Sequence, residues 1–579
     1  MSLVTSKCRQ VWQSDDYYQT LWFLLFLAFI IIFSGIGLRD PWPADEPRFV
    51  EVAREMVQSG NWFFPTRGGE LYPDKPPVFM WSMAAFYWLT GSLKATFMLP
   101  NAIVSLIALV CCYDISAKLW NVKTARNVGF LLLLAPQFII QAKAAQIDAM
   151  VAAWITISMY GLLRHFYIKT NWVWYCLAWV FMGLGIITKG VGFLPALFLI
   201  PVLFLHFSGR HHFEDAVSWK LLLGPVFMLL TIACWFVPMV SIVEISHNPD
   251  FAAYGDNILF KQTGERYANS WGHIQPWYYF IVSVIPVMWF PLYLVFFNKK
   301  CWQQLRLSPA LLSLFAWVVL VIAFFSLSPG KRGVYILPAL PMLAVIAGYA
   351  LTNQAWPKWT DKLLKAIVLI LGVVLFSAAV VAGLEVKSVT KHLGEYDSIF
   401  PYVVFFLVAA AIWVGAFFKT RTVQARYTFW VALALTWVWY SVAGYTLLNP
   451  VRTPAKEIMS EAQKAIGKDG ELGLTLFKEQ FLLFSPVSVT HFSYLSDHKE
   501  QERNAWLWLQ EKPNRYILTQ GGNEMECFDA NKAKKLGEAH RRDGFYLMPR
   551  VHLNPVSRQE ASNDMSYIST SHILNLLSR

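Results

Sequence analysis

Leu21-Trp-Phe-Leu-Leu-Phe-Leu-Ala-Phe-Ile-Ile-Ile-Phe-Ser-Gly-Ile-Gly-Leu38 is followed at once by Arg39-Asp-Pro-Trp-Pro-Ala-Asp-Glu-Pro-Arg48. The first stretch carries no charged side chain and is long enough to cross a hydrocarbon core of about 30 Å as a helix. The second places two adjacent carboxylates, Asp45 and Glu46, where such a helix meets water. Carboxylates at that depth are costly unless paired or wetted, and in a membrane protein they mark a functional site by default.

Composition extends the reading to the whole chain. Of 579 residues 56% are hydrophobic, 16% aromatic and only 15% charged, and the mean hydropathy is +0.41. A polytopic α-helical membrane protein follows. About 13 apolar runs recur, at residues 20–38, 95–113, 127–142, 149–166, 172–187, 190–207, 221–241, 276–297, 308–327, 334–351, 364–384, 399–418 and 427–447. They are continuously apolar and do not alternate, which excludes a transmembrane β-barrel. The polar Met1–Gln19 segment and the length of the run after it argue against a cleaved signal peptide.

Basic residues orient the bundle. Lys118, Lys123 and Arg126, then Arg164 and Lys169, then Arg210 and Lys220 fall in alternate loops, and the series continues to Lys419, Arg421 and Arg426. The positive-inside rule then predicts a cytoplasmic N-terminus and, for an odd number of spans, an outer C-terminus. The opposite loops are 39–94, 143–148, 188–190, 242–275, 328–333 and 385–398. Several hold isolated lysines against that trend. Such a lysine either serves a site or snorkels as an anchor.

Residues 1–449 therefore form the membrane part and 450–579 a small outer α/β domain. There, Thr453–Ile466 has amphipathic helical spacing, while 472–477, 487–494, 516–519 and 544–548 read as short strands. The Ser/Asn-rich residues 555–579 are expected to form a loose tail. Of seven cysteines only Cys527 lies in this domain, so it holds no internal disulfide. No Walker A or Rossmann glycine pattern supports nucleotide binding. The formal charge of +12 is dispersed over many loops, which fits anionic lipid and excludes a nucleic-acid patch.

In the first outer loop, Phe49, Val52, Ala53, Met56 and Val57 follow helical spacing over about ten residues, predicting a helix lying on the membrane surface. Tyr72-Pro-Asp-Lys-Pro-Pro77 opens a second short apolar helix. The two flank a rim bearing Asp45, Glu46, Asp74 and Lys75.

These segments carry a resemblance. Ala44-Asp-Glu-Pro-Arg-Phe49, Ala53-Arg-Glu-Met56, Gly60-Asn-Trp62 and Asp74-Lys-Pro-Pro77 are similar to the bacterial aminoarabinose transferase group within the protein-mannosyltransferase-like glycosyltransferases. So are Gly183-Leu-Gly-Ile-Ile-Thr-Lys-Gly190 and Phe325-Ser-Leu-Ser-Pro-Gly-Lys-Arg-Gly-Val-Tyr-Ile-Leu-Pro338. The matches keep their order over residues 40–350. The resemblance implies a GT-C fold in the bacterial inner membrane, with its site and C-terminal domain on the periplasmic side. It implies a polyprenyl (undecaprenyl) phosphate sugar donor and a lipid A type glycolipid acceptor, the sugar being 4-amino-4-deoxy-L-arabinose or a relative. Two positions depart from the group's pattern: Asp74 stands for the usual Glu, and Pro329 for the usual Lys.

The chemistry is consistent with this. As the anomeric bond of a glycosyl phosphate breaks, the leaving phosphate gains charge, and preorganised cations in a water-poor cleft stabilise it. Lys75, Lys189, Lys331 and Arg332 are the outer-side cations expected there, with Tyr335 as hydrogen-bond donor. Asp45 and Asp148 are the catalytic candidates; the resemblance matches both to the group's paired aspartates. A hydroxyl acceptor needs a general base, whereas a phosphate acceptor arrives as an anion. Arg48, Lys143 and His273 are expected to orient substrate, although an Asp45–Arg48 salt bridge across one helical turn would serve structure alone. Glu46 and Asp74, with His273, are the residues that could hold a divalent metal, without diagnostic spacing. Two other activities stay open: transfer from the same donor to protein Ser/Thr, and transport of a lipid-linked sugar. Transport predicts charges at mid-membrane on broken helices, whereas these charges gather at one boundary.

Overall fold

The computed structural model describes residues 14–213, 215–258, 273–354, 357–386, 398–520, 527–529, 533–539, 543–549 and 567–569. Among them, nine helices are long and apolar enough to cross a membrane, from Leu93–Leu119 to Ala425–Arg452. All thirteen apolar runs are helical, but four are not single long helices. The first ends at Phe33, since Gly35 and Gly37 take positive φ just beyond it. Residues 122–142 form a pair, Val122–Leu133 and Pro136–Ala142, bent by 66°. Pro195 sits in a tight 3₁₀ stretch, Val191–Phe198, before Leu199–Phe207. Residues 276–297 break into three short pieces where Pro286 and Pro291 each remove an amide donor.

Burial sorts the bundle into layers. Ile147–Ile168 and Gly333–Asn353 are enclosed by other helices over most of their length, whereas Trp219–Ser246 and Trp359–Gly383 keep most of their apolar surface outward. Outward-facing Leu229, Leu230, Val373 and Val374 are what a lipid-facing helix requires.

The short helix that the spacing of the first outer loop predicts is present. Helix Glu46–Ser59 is amphipathic, but its polar face is also covered: Glu51 and Arg54 are buried and form a salt bridge with each other. A two-stranded hairpin follows, β1 (Thr66–Arg67) and β2 (Glu70–Leu71), and then helix Val78–Thr90. Phe49 packs edge-on against Phe79, tying the two helices together.

The C-terminal part is a mixed sheet of strands β3 (Glu471–Leu474), β4 (Val489–His491), β5 (Arg515–Gln520), β6 (Lys534–Ala539), β7 (Asp543–Pro549) and β8 (Tyr567–Ser569). Their spatial order is β6-β7-β5-β3-β4-β8, with β3 parallel to both β4 and β5. Helices Ala455–Ile466, Glu479–Leu483 and His498–Glu511 accompany it. Apart from β8, the expected tail at 555–579 lies outside the described residues.

Candidate active site

Four helix ends converge. Asp45 is the residue before helix Glu46–Ser59, yet its side chain makes no capping bond to that helix. It turns outward instead and accepts a hydrogen bond from Arg332 Nη2 at 2.7 Å. Asp148 stands in the first turn of Ile147–Leu163, where the positive end of the helix dipole favours an anion. It pairs with Lys189, the last residue of Trp172–Lys189, where the negative end favours a cation. That helix stops there because Gly190 takes φ +89°, a left-handed cap open to glycine at no steric cost. Lys189 Nζ also lies 4.9 Å from the centre of the Tyr335 ring.

Two carboxylates, two cations and a phenol thus form one cluster in which neighbouring pairs sense each other. Burial alone would raise the Asp45 pKa, but the hydrogen bond and charge of Arg332, with Arg48 and Lys189 behind it, hold it below the ordinary value. Asp45 is 21% exposed and Arg332 37%, so this pair opens to solvent, while Asp148 and Lys189 sit deeper at 11% and 15%. The deeper pair joins the ends of two helices, and the outer pair is the more open to solvent.

The chain is similar to known proteins in sequence and in fold. Residues 74–237 match the family model described as dolichyl-phosphate-mannose-protein mannosyltransferase. The chain is 27% identical over 339 residues to an undecaprenyl phosphate-alpha-4-amino-4-deoxy-L-arabinose arabinosyl transferase of Pseudomonas savastanoi pv. phaseolicola, a match covering 57% of this chain and 61% of that protein. A protein of the same name from Yersinia enterocolitica is 26% identical over 489 residues, 80% of this chain and 85% of its own. The solved structure of ArnT from Cupriavidus metallidurans bound to undecaprenyl phosphate superposes with a TM-score of 0.69 at 21% identity, over 91% of this chain and 97% of that one. The fold is GT-C.

Within this GT-C fold the remaining expected residues separate into two groups. Arg48 does not pair with Asp45. It reaches across the chain to Glu479 at 3.1 Å, and Arg67 joins the same carboxylate at 2.6 Å. Asp74 and Lys75 are half-buried just before Val78–Thr90, with the Asp74 charge felt at Tyr72 and Tyr494.

The other group is turned inward. Lys331 is buried and donates to the carbonyls of Gln275 at 2.8 Å and Ser328 at 2.5 Å, while its own amide donates to the carbonyl of His273. Desolvation lowers its pKa. It fastens the 273–275 and 328–331 segments together rather than pointing into the cluster. His273 is exposed and offers only its main chain to that contact. Lys143, expected to orient substrate, is buried and donates to the carbonyls of Ile31, Ile32 and Ser34. It caps the first helix, satisfying acceptors that the helix end leaves open.

Glu46 does not suit a metal. Its carboxylate is buried in a salt bridge with Arg39 and accepts from the amides of Trp42 and Ala145. Among the described residues no group of three or more His, Cys, Asp and Glu side chains is arranged to hold a metal ion. Sequence reasoning missed Arg39, although a lone arginine directly after an apolar run is a signal for a buried ion-pair partner. It also missed Glu479, which nothing local in the sequence distinguishes.

Proposed function

We propose that this chain is a bacterial inner-membrane glycosyltransferase with a periplasmic site. It moves 4-amino-4-deoxy-L-arabinose, or a related amino sugar, from undecaprenyl phosphate to a lipid A type glycolipid. The observation that carries this is the convergence of Asp45–Arg332 and Asp148–Lys189, from four separate segments, on one side of the bundle. The similarity to aminoarabinose transferases over most of the chain supports the donor and acceptor classes.

In the reaction the bond between the anomeric carbon and the donor phosphate oxygen breaks, and its electron pair leaves with undecaprenyl phosphate. Arg332 and Lys189 receive the charge that develops on that phosphate. Tyr335 donates a hydrogen bond to it. The acceptor oxygen forms the new bond to the anomeric carbon. With a phosphate acceptor no proton is lost, and Asp45 holds the acceptor or the amine of the sugar. With a hydroxyl acceptor Asp45 takes the proton.

The match of residues 74–237 to a protein-mannosyltransferase model favours a second reading, a protein Ser/Thr acceptor. Membranes containing the protein, incubated with labelled undecaprenyl-phosphate aminoarabinose, separate the two. Label is expected in the lipid A fraction, with a matching mass increment on lipid A from cells carrying the protein. Label confined to protein would refute the lipid acceptor.

A further inference from the structure

In open α/β sheets, ligands bind beyond the carboxyl ends of the parallel strands. Here that rim, at the ends of β3 and β4, is filled by the protein's own hairpin from the first outer loop. His491, the last residue of β4, donates Nε2–H to the carbonyl of Gly68 at 2.6 Å. Gly68 takes φ +71°, and a Cβ there would lie 2.5 Å from the His491 ring and 2.8 Å from Phe477, so only glycine fits. Ser493 Oγ and the amide of Tyr494 donate to Glu70, at 2.6 and 3.0 Å. Glu55, in helix Glu46–Ser59, accepts from the amides of Gly68 and Gly69. The hairpin is thus held by Glu55 from its own loop and by His491 and Ser493, each 423 residues along the chain from its hairpin partner.

The grip extends to the site. Glu479, buried and just after β3, binds Arg67 of the hairpin and Arg48 of helix Glu46–Ser59 at once. Arg48 lies three residues after Asp45. We propose that the C-terminal domain is a clamp for the loop carrying Asp45, and that Glu479 is a positioning residue for sugar transfer, acting through Arg48. This rests on the function proposed above. Arg48 is among the cations that favour ionised Asp45, so a loosened Arg48 changes both the place and the proton affinity of that carboxylate.

The test uses full-length protein in detergent, as Glu479→Gln and Glu479→Asp. Hydrogen exchange over residues 46–71 is followed beside transfer kinetics. For Glu479→Gln, exchange in 46–71 is expected to rise and kcat to fall about tenfold. The donor KM should stay within about twofold, and the acid limb of kcat should move to higher pH. Glu479→Asp should recover most of kcat. Wild-type kcat and pH profile in Glu479→Gln, or unchanged exchange in 46–71, would overturn the proposal. If Glu479→Gln does not fold, Gly68→Ala displaces the same hairpin and carries the same expectations and the same refutation. If the wild-type protein transfers no sugar from undecaprenyl phosphate, the functional reading fails, while exchange still decides the clamp.

Discussion

Lys189→Met separates what the deeper ion pair does for the fold from what it does for the reaction. Methionine keeps most of the side-chain volume and removes only the cation. Asp148, 11% exposed, is then left without the charge that neutralises it. Stranding one partner of a fully buried pair costs about 3–5 kcal/mol. Residual solvent access and the helix N-terminus beside Asp148 reduce this to roughly 2 kcal/mol. The second loss is catalytic: removing one preorganised donor from a developing charge costs about 10²–10³ in kcat, or roughly 3–4 kcal/mol of barrier.

The double variant Asp148→Asn/Lys189→Met splits the two effects. With the stranded charge also removed, the unfolding midpoint in detergent should return close to wild type. Transfer from labelled donor should stay down at least about a hundredfold, because the cation is still missing. A double variant that regains transfer together with stability would refute this reasoning and leave the pair as a strut between two helices. A single Lys189→Met variant that transfers at the wild-type rate would do the same.

Asp45→Asn should lower transfer by about 10²–10⁴ where the acceptor is a hydroxyl and the residue acts as base, and less where it is a phosphate; kinetics with the two acceptor types measure the difference. Lys143→Met should lower the unfolding midpoint through the lost cap of the first helix and leave the donor KM unchanged; a raised KM with unchanged stability would instead return Lys143 to the substrate. Chelation by EDTA should leave transfer unaltered, because Glu46 is committed to Arg39 and to two main-chain amides; activity restored by an added divalent ion would count against this. Burial, opposed by the Gly68 hydrogen bond and the Glu55 charge and aided by that of Arg67, lowers His491 from its ordinary 6.5 to about 4. The unfolded chain therefore takes up that proton first as pH falls, so stability is intact above about 6.5 and drops by roughly 3 kcal/mol towards pH 4. His491→Asn should flatten this part of the stability profile, and an unchanged slope would show that other groups set it.

The bundle was legible because lipid imposes a single rule, apolar helices, and nine of the apolar runs obey it as single helices while four are shortened or broken. What the runs do not encode is where a helix breaks, since a proline's effect depends on whether neighbours satisfy the carbonyls it frees. Asp45, Asp148 and Lys189 could be picked out as candidates because charge at a helix end beside the membrane needs a partner, and the structure pairs Asp45 with Arg332 and Asp148 with Lys189. The short helix expected over residues 48–57 is present, but the covering of its polar face was not legible: Glu51 and Arg54 form a buried salt bridge, so a face that looks wet in sequence can be buried. Lys143 and Lys331 misled in the same way. A lysine at a helix terminus serves main-chain carbonyls as well as it serves a phosphate, and only the fold decides between them.

The departure at Pro329 bears on which cation faces the donor. A lysine is usual there in the resembling group, and its loss leaves Lys331 and Arg332 as the basic residues of that turn. The carbonyl of Pro329 accepts from the amide of Gln275, and Ile274 bridges Gly330, so the turn is stitched to the 273–275 segment. Its stitching includes the Lys331 amine, which is thereby withdrawn from the cluster. Arg332 is then the turn's contribution to the site. A planar guanidinium differs from an ammonium in offering paired donors to a phosphate while still holding a carboxylate. Arg332 can thus keep Asp45 in place and bind the donor phosphate without choosing between them. Arg332→Lys, which keeps the charge and removes the fork, should weaken donor binding and raise the Asp45 pKa together, seen as a higher donor KM and an acid limb of kcat moved to higher pH. If only one of the two moved, Arg332 would serve one partner alone.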